Sequence, residues 1–132
     1  MATVYMTKVL TGTFKANADL SSKQYYFVEM DASGDVGACN AATDIPIGVL
    51  LNKPDASGKA AEVGIIGIYP VNANGALNEQ DLIGPAADGQ ADGKTAGSDT
   101  TEYVVGQVIG TGTAAGDLVM AAINCATPHR AA

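Results

Sequence analysis

A glycine-rich segment in the second half of the chain comes close to the pattern of a phosphate-binding loop. In such a loop, backbone amides between glycines and one Lys contact the phosphates of a nucleotide. Here Asp88 stands where the first Gly is required, so a carboxylate would face the phosphates. No buried strand is predicted before the segment, and no helix pattern follows it. We therefore predict two Asp-Gly turns, and no nucleotide site, in Asp88-Gly89-Gln90-Ala91-Asp92-Gly93-Lys94-Thr95.

A second glycine-rich segment, residues 110–116, resembles the dinucleotide fingerprint but is one residue too long. The fingerprint places the pyrophosphate at a helix N-terminus, whereas residues 117–120 have the pattern of a strand. We predict that this segment is also a turn.

Nucleophilic catalysis by a Ser-His-Asp or Cys-His unit needs a positioned His, and His129 is the only one, in a short polar segment. Cys39 and Cys125 with one His do not match a zinc motif, and no calcium-loop motif occurs among the ten Asp. We expect each Cys to be a small buried thiol, with a bridge between them left open. The sequence thus predicts no catalytic residue, no metal site, no cofactor and no enzyme activity.

The net negative charge of the chain restricts the classes of partner that it can bind. Seven Lys and Arg against fourteen Asp and Glu give a net charge of −7, and the cations are scattered. Phosphate binding depends on clustered cations, so we predict no nucleic-acid partner. No stretch approaches the roughly 20 apolar residues of a membrane helix, so no membrane partner is expected either. Of the 132 residues, 23 are Ala and only 32 are Val, Ile, Leu, Met or Phe, so few large apolar side chains are available for the core. We therefore expect part of the stability to come from association with other copies or with a partner.

The elements that would position these residues are short. Sixteen Gly and five Pro divide the chain into brief apolar runs, which predicts an all-β, single-domain fold. We expect a barrel-like or sandwich-like form, with at most a short helical turn within residues 16–24. We expect an N-terminal arm or first strand over 1–15, a β-domain over 16–125 and a polar C-terminal tail over 126–132. Residues 84–101 are expected to form an exposed loop with few anchors. Strands are predicted at 3–14, 24–30, 45–52, 62–71, 103–109 and 117–124.

The N-terminal segment alternates apolar and polar residues over 3–14 and has two interpretations. It could add as a strand to the sheet edge of another chain, or it could be the first strand of its own sheet. Both remain open at this point. A second open question is whether the similar hairpin patterns around residues 47–63 and 105–119 reflect a duplication.

A series of glycine-closed hairpins carries a resemblance to a known family. Their order and spacing over residues 17–125 resemble the capsid decoration, or cement, proteins of tailed bacteriophages. The matching pieces are Ile45-Pro46-Ile47-Gly48-Val49-Leu50, Ala56-Ser57-Gly58, Glu62-Val63-Gly64-Ile65-Ile66-Gly67-Ile68-Tyr69-Pro70-Val71, Asp81-Leu82-Ile83-Gly84, Val105-Gly106-Gln107-Val108-Ile109 and Ala114-Ala115-Gly116-Asp117-Leu118-Val119. The chain departs from the family pattern at Ser22-Lys23-Gln24, where an acidic Gly-Asp is usual.

The resemblance implies a protein that is made in the host cytoplasm and becomes part of the virion. It would bind the outer capsid surface as a homotrimer, at threefold and quasi-threefold positions, and would stabilise the expanded head by contacting the major capsid protein. The alternative is a trimeric tail-fibre or receptor-binding head module. The residues expected to contact the capsid or a neighbouring copy are Val4, Tyr5, Met6, Val9, Leu10 and Phe14.

Overall fold

The computed structural model describes residues 5–132, and it contains eleven β-strands and no helix within that range. The all-β prediction is therefore confirmed. Residues 16–24, where a helical turn was allowed, form bends and turns instead. In chain order the strands are β1 (Thr7–Lys15), β2 (Phe27–Met30), β3 (Val36–Ala38), β4 (Gly48–Leu50), β5 (Ala60–Asn72), β6 (Leu82–Pro85), β7 (Ala91–Gly93), β8 (Tyr103–Val104), β9 (Gly106–Val108), β10 (Leu118–Asn124) and β11 (His129–Arg130).

Nine of these strands form one curled, half-barrel sheet. Its main path runs β3-β2-β4-β5-β10-β9-β6-β7, and β1 pairs with β5 outside this path. Strands β8 and β11 form a separate two-stranded sheet. The strand pairs are antiparallel, as expected for a chain joined by short turns.

The 13-residue β5 organises the sheet because it pairs with three other strands. Strand β1 lies along residues 60–68, and β10 lies along residues 66–72. Since the two partners overlap at residues 66–68, they must lie on opposite edges of β5. Strand β4 pairs at Val63 and Gly64, and the turn joining it to β5 contains Gly58 at φ 88°. The hairpin predicted between these two apolar runs is present.

Buried side chains form two clusters, one on each face of the sheet around β2 and β4. Neighbouring residues on a strand point to opposite faces, so Phe27 and Val49 enter the first cluster while Val28 and Leu50 enter the second. Both cysteines are free and buried in the first cluster, as predicted. The second cluster consists of Ala16, Leu20, Val28, Val36, Leu50, Ala61 and Val63.

The expectation of an exposed loop over residues 84–101 was wrong for its first half. Strands β6 and β7 form a hairpin there, and β6 also pairs with β9. Ala86, Ala91 and Lys94 are buried. These strands have three or four residues and are rich in Gly, Asp and Pro, so their local strand propensity is low. Their extended structure depends on pairing with strands such as β9, which is distant in sequence.

The near-match to a phosphate-binding loop lies within this hairpin. Gly89, at φ 89°, forms the turn, and the Asp88 carboxylate accepts a hydrogen bond from the Gln90 amide. The first predicted Asp-Gly turn is therefore present. The second is not, because Asp92 and Gly93 belong to β7. Lys94 Nζ lies 2.8 Å from the Pro85 carbonyl oxygen inside the protein and so does not face solvent as a phosphate ligand would.

The last residues of the chain pack on the domain. His129 and Arg130 form β11, which pairs with Val104 and Tyr103 of β8. Ala131 is buried and its amide donates to the Glu102 carbonyl. The segment is polar, as expected, and it is held by backbone pairing.

Replacing Gly84 by Ala is expected to destabilise the fold, since the added Cβ would collide with the Tyr103 carbonyl oxygen. Backbone cannot move aside as a flexible side chain can, so we expect the free energy of unfolding to fall by about 2 kcal/mol. Gly75→Ala is the matched control because a Cβ at Gly75 meets nothing within 4 Å. Urea unfolding of both variants measures the difference, and equal stabilities would contradict the packing described for β6.

Candidate functional site

Strand β1 is an exposed edge of the sheet. It pairs with β5 through residues 7–15, and no other strand of the described chain pairs with its outer edge. The strand thus belongs to its own sheet, which was one of the two interpretations of the N-terminal segment. Its outer backbone amides and carbonyls can still pair with another chain, which was the other interpretation.

Most of the predicted contact residues lie on this surface. Tyr5, Met6, Val9 and Leu10 are all exposed, and Val9 is 68% exposed. We call these four residues the β1 patch. Val4 lies outside the described residues. Phe14 is half-buried and packs against the second core cluster, so it anchors β1 rather than extending the patch.

Two bulges shape the β1 patch. Lys8 and Leu10 pair with adjacent residues Gly67 and Ile66, so Val9 is an extra residue on β1. Leu10 and Thr11 then pair with Ile66 and Gly64, so Ile65 is an extra residue on β5. The two insertions cancel, and the register continues to Lys15. A bulge changes the direction of its side chains, which is why strict alternation over 3–14 did not predict Val9 as the most exposed of these residues.

A buried tyrosine holds β1 at this position. The Tyr69 hydroxyl lies 2.8 Å from the Ile66 carbonyl oxygen and 3.3 Å from that of Leu10. Burial raises the pKa of Tyr69, so the hydroxyl stays protonated and can donate. The ring fits because Gly64 lies beside it: a Cβ at Gly64 would be 2.5 Å from Tyr69 Cζ. At Gly67, with φ 143°, a Cβ would collide with the Thr7 carbonyl.

Replacing Tyr69 by Phe is expected to loosen β1 without unfolding the domain. The lost hydroxyl leaves a half-buried carbonyl acceptor without its donor, which should lower the free energy of unfolding by about 1 kcal/mol. Hydrogen exchange at β1 amides should speed up more than exchange at β10 amides. Tyr103→Phe is the control, since the Tyr103 hydroxyl contacts only the exposed Arg130 among the described residues. Equal exchange rates in the two variants would show that Tyr69 does not hold β1.

The charge of β1 differs from that of the rest of the chain. Residues 1–15 contain Lys8 and Lys15 and no acidic residue, whereas the remaining chain has five cations against fourteen acids. Lys8 Nζ lies 3.3 Å from a Glu62 carboxylate oxygen, an exposed pair that contributes little to stability. A cationic strand on an acidic domain is complementary to a second acidic surface, including that of another copy of this chain.

The arrangement suits recognition by surface contact. Lysines and bulges on an edge strand make pairing with an arbitrary strand unfavourable. Backbone pairing at β1 therefore needs additional binding free energy, which a partner gains by burying the β1 patch. The four side chains of the patch are 38–68% exposed, so covering them removes further apolar area from water and favours binding. No carboxylate, amine, thiol or imidazole belongs to the patch.

A second surface was not identified from the sequence. An apolar groove of about 290 Å3 lies where the main sheet meets the β8–β11 pair, and its walls include Leu82, Ile123 and His129. Leu82 precedes Ile123 and His129 by more than forty positions in the chain, so only the fold brings it next to them. The sequence held no signal for this groove, because the exposure of Leu82, the first residue of β6, is visible only in the fold.

No helix of the described chain is long and apolar enough to span a membrane.

Comparison with solved structures gives a likeness over most of the chain. The fold is similar to that in the crystal structure of the head fiber gp8.5 N base in bacteriophage phi29, with a TM-score of 0.62 and 18% sequence identity. The match covers 88% of this chain and 94% of that chain. At this identity the likeness establishes the fold. No protein-family model and no curated protein sequence matches the chain.

Proposed function

We propose that this protein is a structural component of a bacteriophage head. The observation that carries the proposal is the fold likeness to a phage head fiber base over nearly the full length of both chains. The order of the glycine-closed hairpins, which resembles the phage decoration proteins, supports the same class independently. Within it, we propose a decoration protein that binds the outer capsid surface and stabilises the expanded shell.

Binding to the capsid would proceed through the β1 patch. Tyr5, Met6, Val9 and Leu10 offer exposed apolar area beside an unpaired strand edge. An extended segment of the major capsid protein could pair with this edge while its side chains cover the patch. Such a contact is weak for one copy, and three linked copies strengthen it through effective concentration. This is the physical reason for proposing a homotrimer at threefold and quasi-threefold positions.

The charge pattern supports self-association and an external location. Lys8 and Lys15 can face an acidic surface of the neighbouring copy, because residues 16–132 of each copy carry all fourteen acidic residues and only five cations. The same net charge of −7 is unfavourable for contact with packaged DNA. In this proposal the protein acts by binding alone and catalyses no reaction.

A second candidate function is the base of a head fibre or a receptor-binding head module. It is favoured by the fold likeness, because the structural neighbour is itself a head fiber base. A receptor-binding module for sugars would expose aromatic rings. Of the described aromatic residues, Tyr5 is exposed, while Phe27 and Tyr69 are buried. Binding of the isolated protein to a glycan array would favour this function over decoration.

Sedimentation of the purified protein tests the proposal. The expected mass is three times the 13.3 kDa of one chain, and the protein should cosediment with expanded heads more strongly than with unexpanded ones. A trimer that binds expanded heads supports decoration. A monomer that binds neither kind of head contradicts it.

A further inference from the structure

Three potential metal ligands converge at one end of the β2–β3 hairpin. A carboxylate oxygen of Glu29, the sulfur of Cys39 and a carboxylate oxygen of Asp44 all lie within 4.8 Å of one another. They come from three segments: β2, the residue after β3, and the loop before β4. No sequence motif joins them, so the convergence is a product of the fold.

The strand register explains why Glu29 and Cys39 meet. Glu29 pairs with Gly37 on β3, and Cys39 lies two residues further along, so its side chain is on the same face as that of Glu29. The Cys39 amide donates to the Phe27 carbonyl at 3.1 Å, which continues the pairing by one residue. The two side chains are therefore diagonal neighbours, close enough for long side chains to interact.

The loop places Asp44 in a fixed orientation. Asp44 Oδ2 accepts hydrogen bonds from the amides of Asn40 at 2.8 Å and Ala41 at 3.0 Å. These bonds close the turn and leave Oδ1 available for another partner. Backbone donors that orient a carboxylate in this way are typical of the supporting contacts around metal ligands.

The Cys39 thiol is buried and faces the two carboxyl groups. Cys39 is 1% exposed, forms no disulfide, and has no hydrogen-bond partner for its sulfur on another described residue. Its sulfur lies within 4.8 Å of a carboxylate oxygen of Glu29 and of Asp44, so the three groups are near enough to share one ligand.

The carboxyl pair also lacks a cationic partner. Among residues 5–132, the ion pairs involve other acids, and no Lys, Arg or His contacts Glu29 or Asp44. Two carboxylate groups this close together repel one another, and a cation bound between them removes that repulsion.

We propose that Glu29, Cys39 and Asp44 bind a divalent cation of the zinc type, with one sulfur and two oxygen ligands from the protein and water in the fourth position. The sulfur ligand favours zinc-like ions over Ca2+ and Mg2+, which prefer all-oxygen sites. On binding, the thiol releases its proton to solvent and coordinates as thiolate. Glu29 also lines an open polar cleft with Asn17 and Asn40, which gives the ion a route from solvent.

The bound ion would fasten the 40–46 loop to the β2–β3 hairpin. A ligand that binds only the folded state stabilises it in proportion to its occupancy. At a free Zn2+ concentration 100 times the dissociation constant, the melting temperature should rise by about 8 °C for a chain of this size.

Calorimetric titration of ZnCl2 into the reduced, chelator-treated full chain tests the site. We expect one Zn2+ per chain, and binding about 100-fold weaker in Cys39→Ser. Cys125→Ser is the matched control, because Cys125 is also a free, buried cysteine in the first core cluster but is outside the ligand group. It should bind Zn2+ as the unmodified chain does. Cd2+ should produce a thiolate-to-metal absorption band in the unmodified chain and in Cys125→Ser, and no band in Cys39→Ser.

Two further variants test the site even if Cys39→Ser fails to fold. Glu29→Gln and Asp44→Asn keep the side-chain shape, and each should weaken Zn2+ binding by about tenfold while circular dichroism stays unchanged. Absence of saturable Zn2+ uptake by the unmodified chain would overturn the proposal. Uptake by Cys39→Ser with the affinity of the unmodified chain, from exposed carboxylates or His129, would overturn it as well. So would an equal loss of binding in Cys39→Ser and Cys125→Ser.

Discussion

Replacing Lys94 by Met is expected to lower the free energy of unfolding by about 3 kcal/mol. The side chain of Lys94 is fully buried, and its Nζ lies 2.5 Å from a Glu102 carboxylate oxygen and 3.4 Å from one of Asp92. It also donates to the Pro85 carbonyl. Removing the ammonium group leaves these acceptors, two of them charged, without their common donor. The loss is largest for Glu102, which is the more buried of the two acids.

The control for this prediction is Lys53→Met, which makes the same change at an exposed lysine. Its stability should stay within about 0.5 kcal/mol of the unmodified chain. Urea unfolding followed by circular dichroism measures both. If Lys94→Met is as stable as Lys53→Met, then Lys94 does not connect the β6–β7 hairpin to the segment before β8 as described.

Replacing Val9 by Asp is expected to weaken binding to expanded phage heads by about 10- to 100-fold, with little change in the stability of the isolated domain. Val9 is the most exposed residue of the β1 patch and, as the extra residue of a bulge, it has no pairing partner on β5. An interface that covers it would have to bury an unpaired charge. Cosedimentation with heads measures the affinity.

The matched control is Ile109→Asp, which adds the same charge at an exposed apolar residue outside β1. That variant should bind heads as the unmodified chain does. Equal weakening by both substitutions would indicate a general effect of negative charge. Undiminished binding by Val9→Asp would exclude the β1 patch from the capsid contact.

Longer apolar runs made much of the sheet predictable. Strands β4, β5 and β10 largely coincide with segments dense in Ile, Val and Leu, and the glycine-closed turn between β4 and β5 indicated the antiparallel pairing of those two strands. Strands β3, β6, β7 and β11 have two to four residues each and lie in segments rich in Gly, Asp and Pro or in a polar tail. Their pairing depends on partners that only the folded chain brings near, so local pattern could not predict them.

Two side-chain features, the burial of Lys94 and the convergence of three potential metal ligands, could not be predicted from the sequence. A lysine in a polar segment is expected to be exposed, and Lys94 is buried only because Glu102 and the Pro85 carbonyl surround it. Glu29, Cys39 and Asp44 follow no ligand spacing, and their convergence depends on the β2–β3 register. The alternation over residues 3–14 is typical of a strand with one covered face, so it predicted neither the exposure of Met6 and Leu10 nor the bulge at Val9.

Electron cryomicroscopy of expanded heads that lack this protein, before and after addition of the purified chain, tests directly whether the protein decorates the capsid. We expect new density on the outer surface at threefold and quasi-threefold positions, with β1 of each copy against a capsid subunit or a neighbouring copy. Density confined to the tail or the head interior, or no added density at saturating protein, would show that the protein is not a decoration protein.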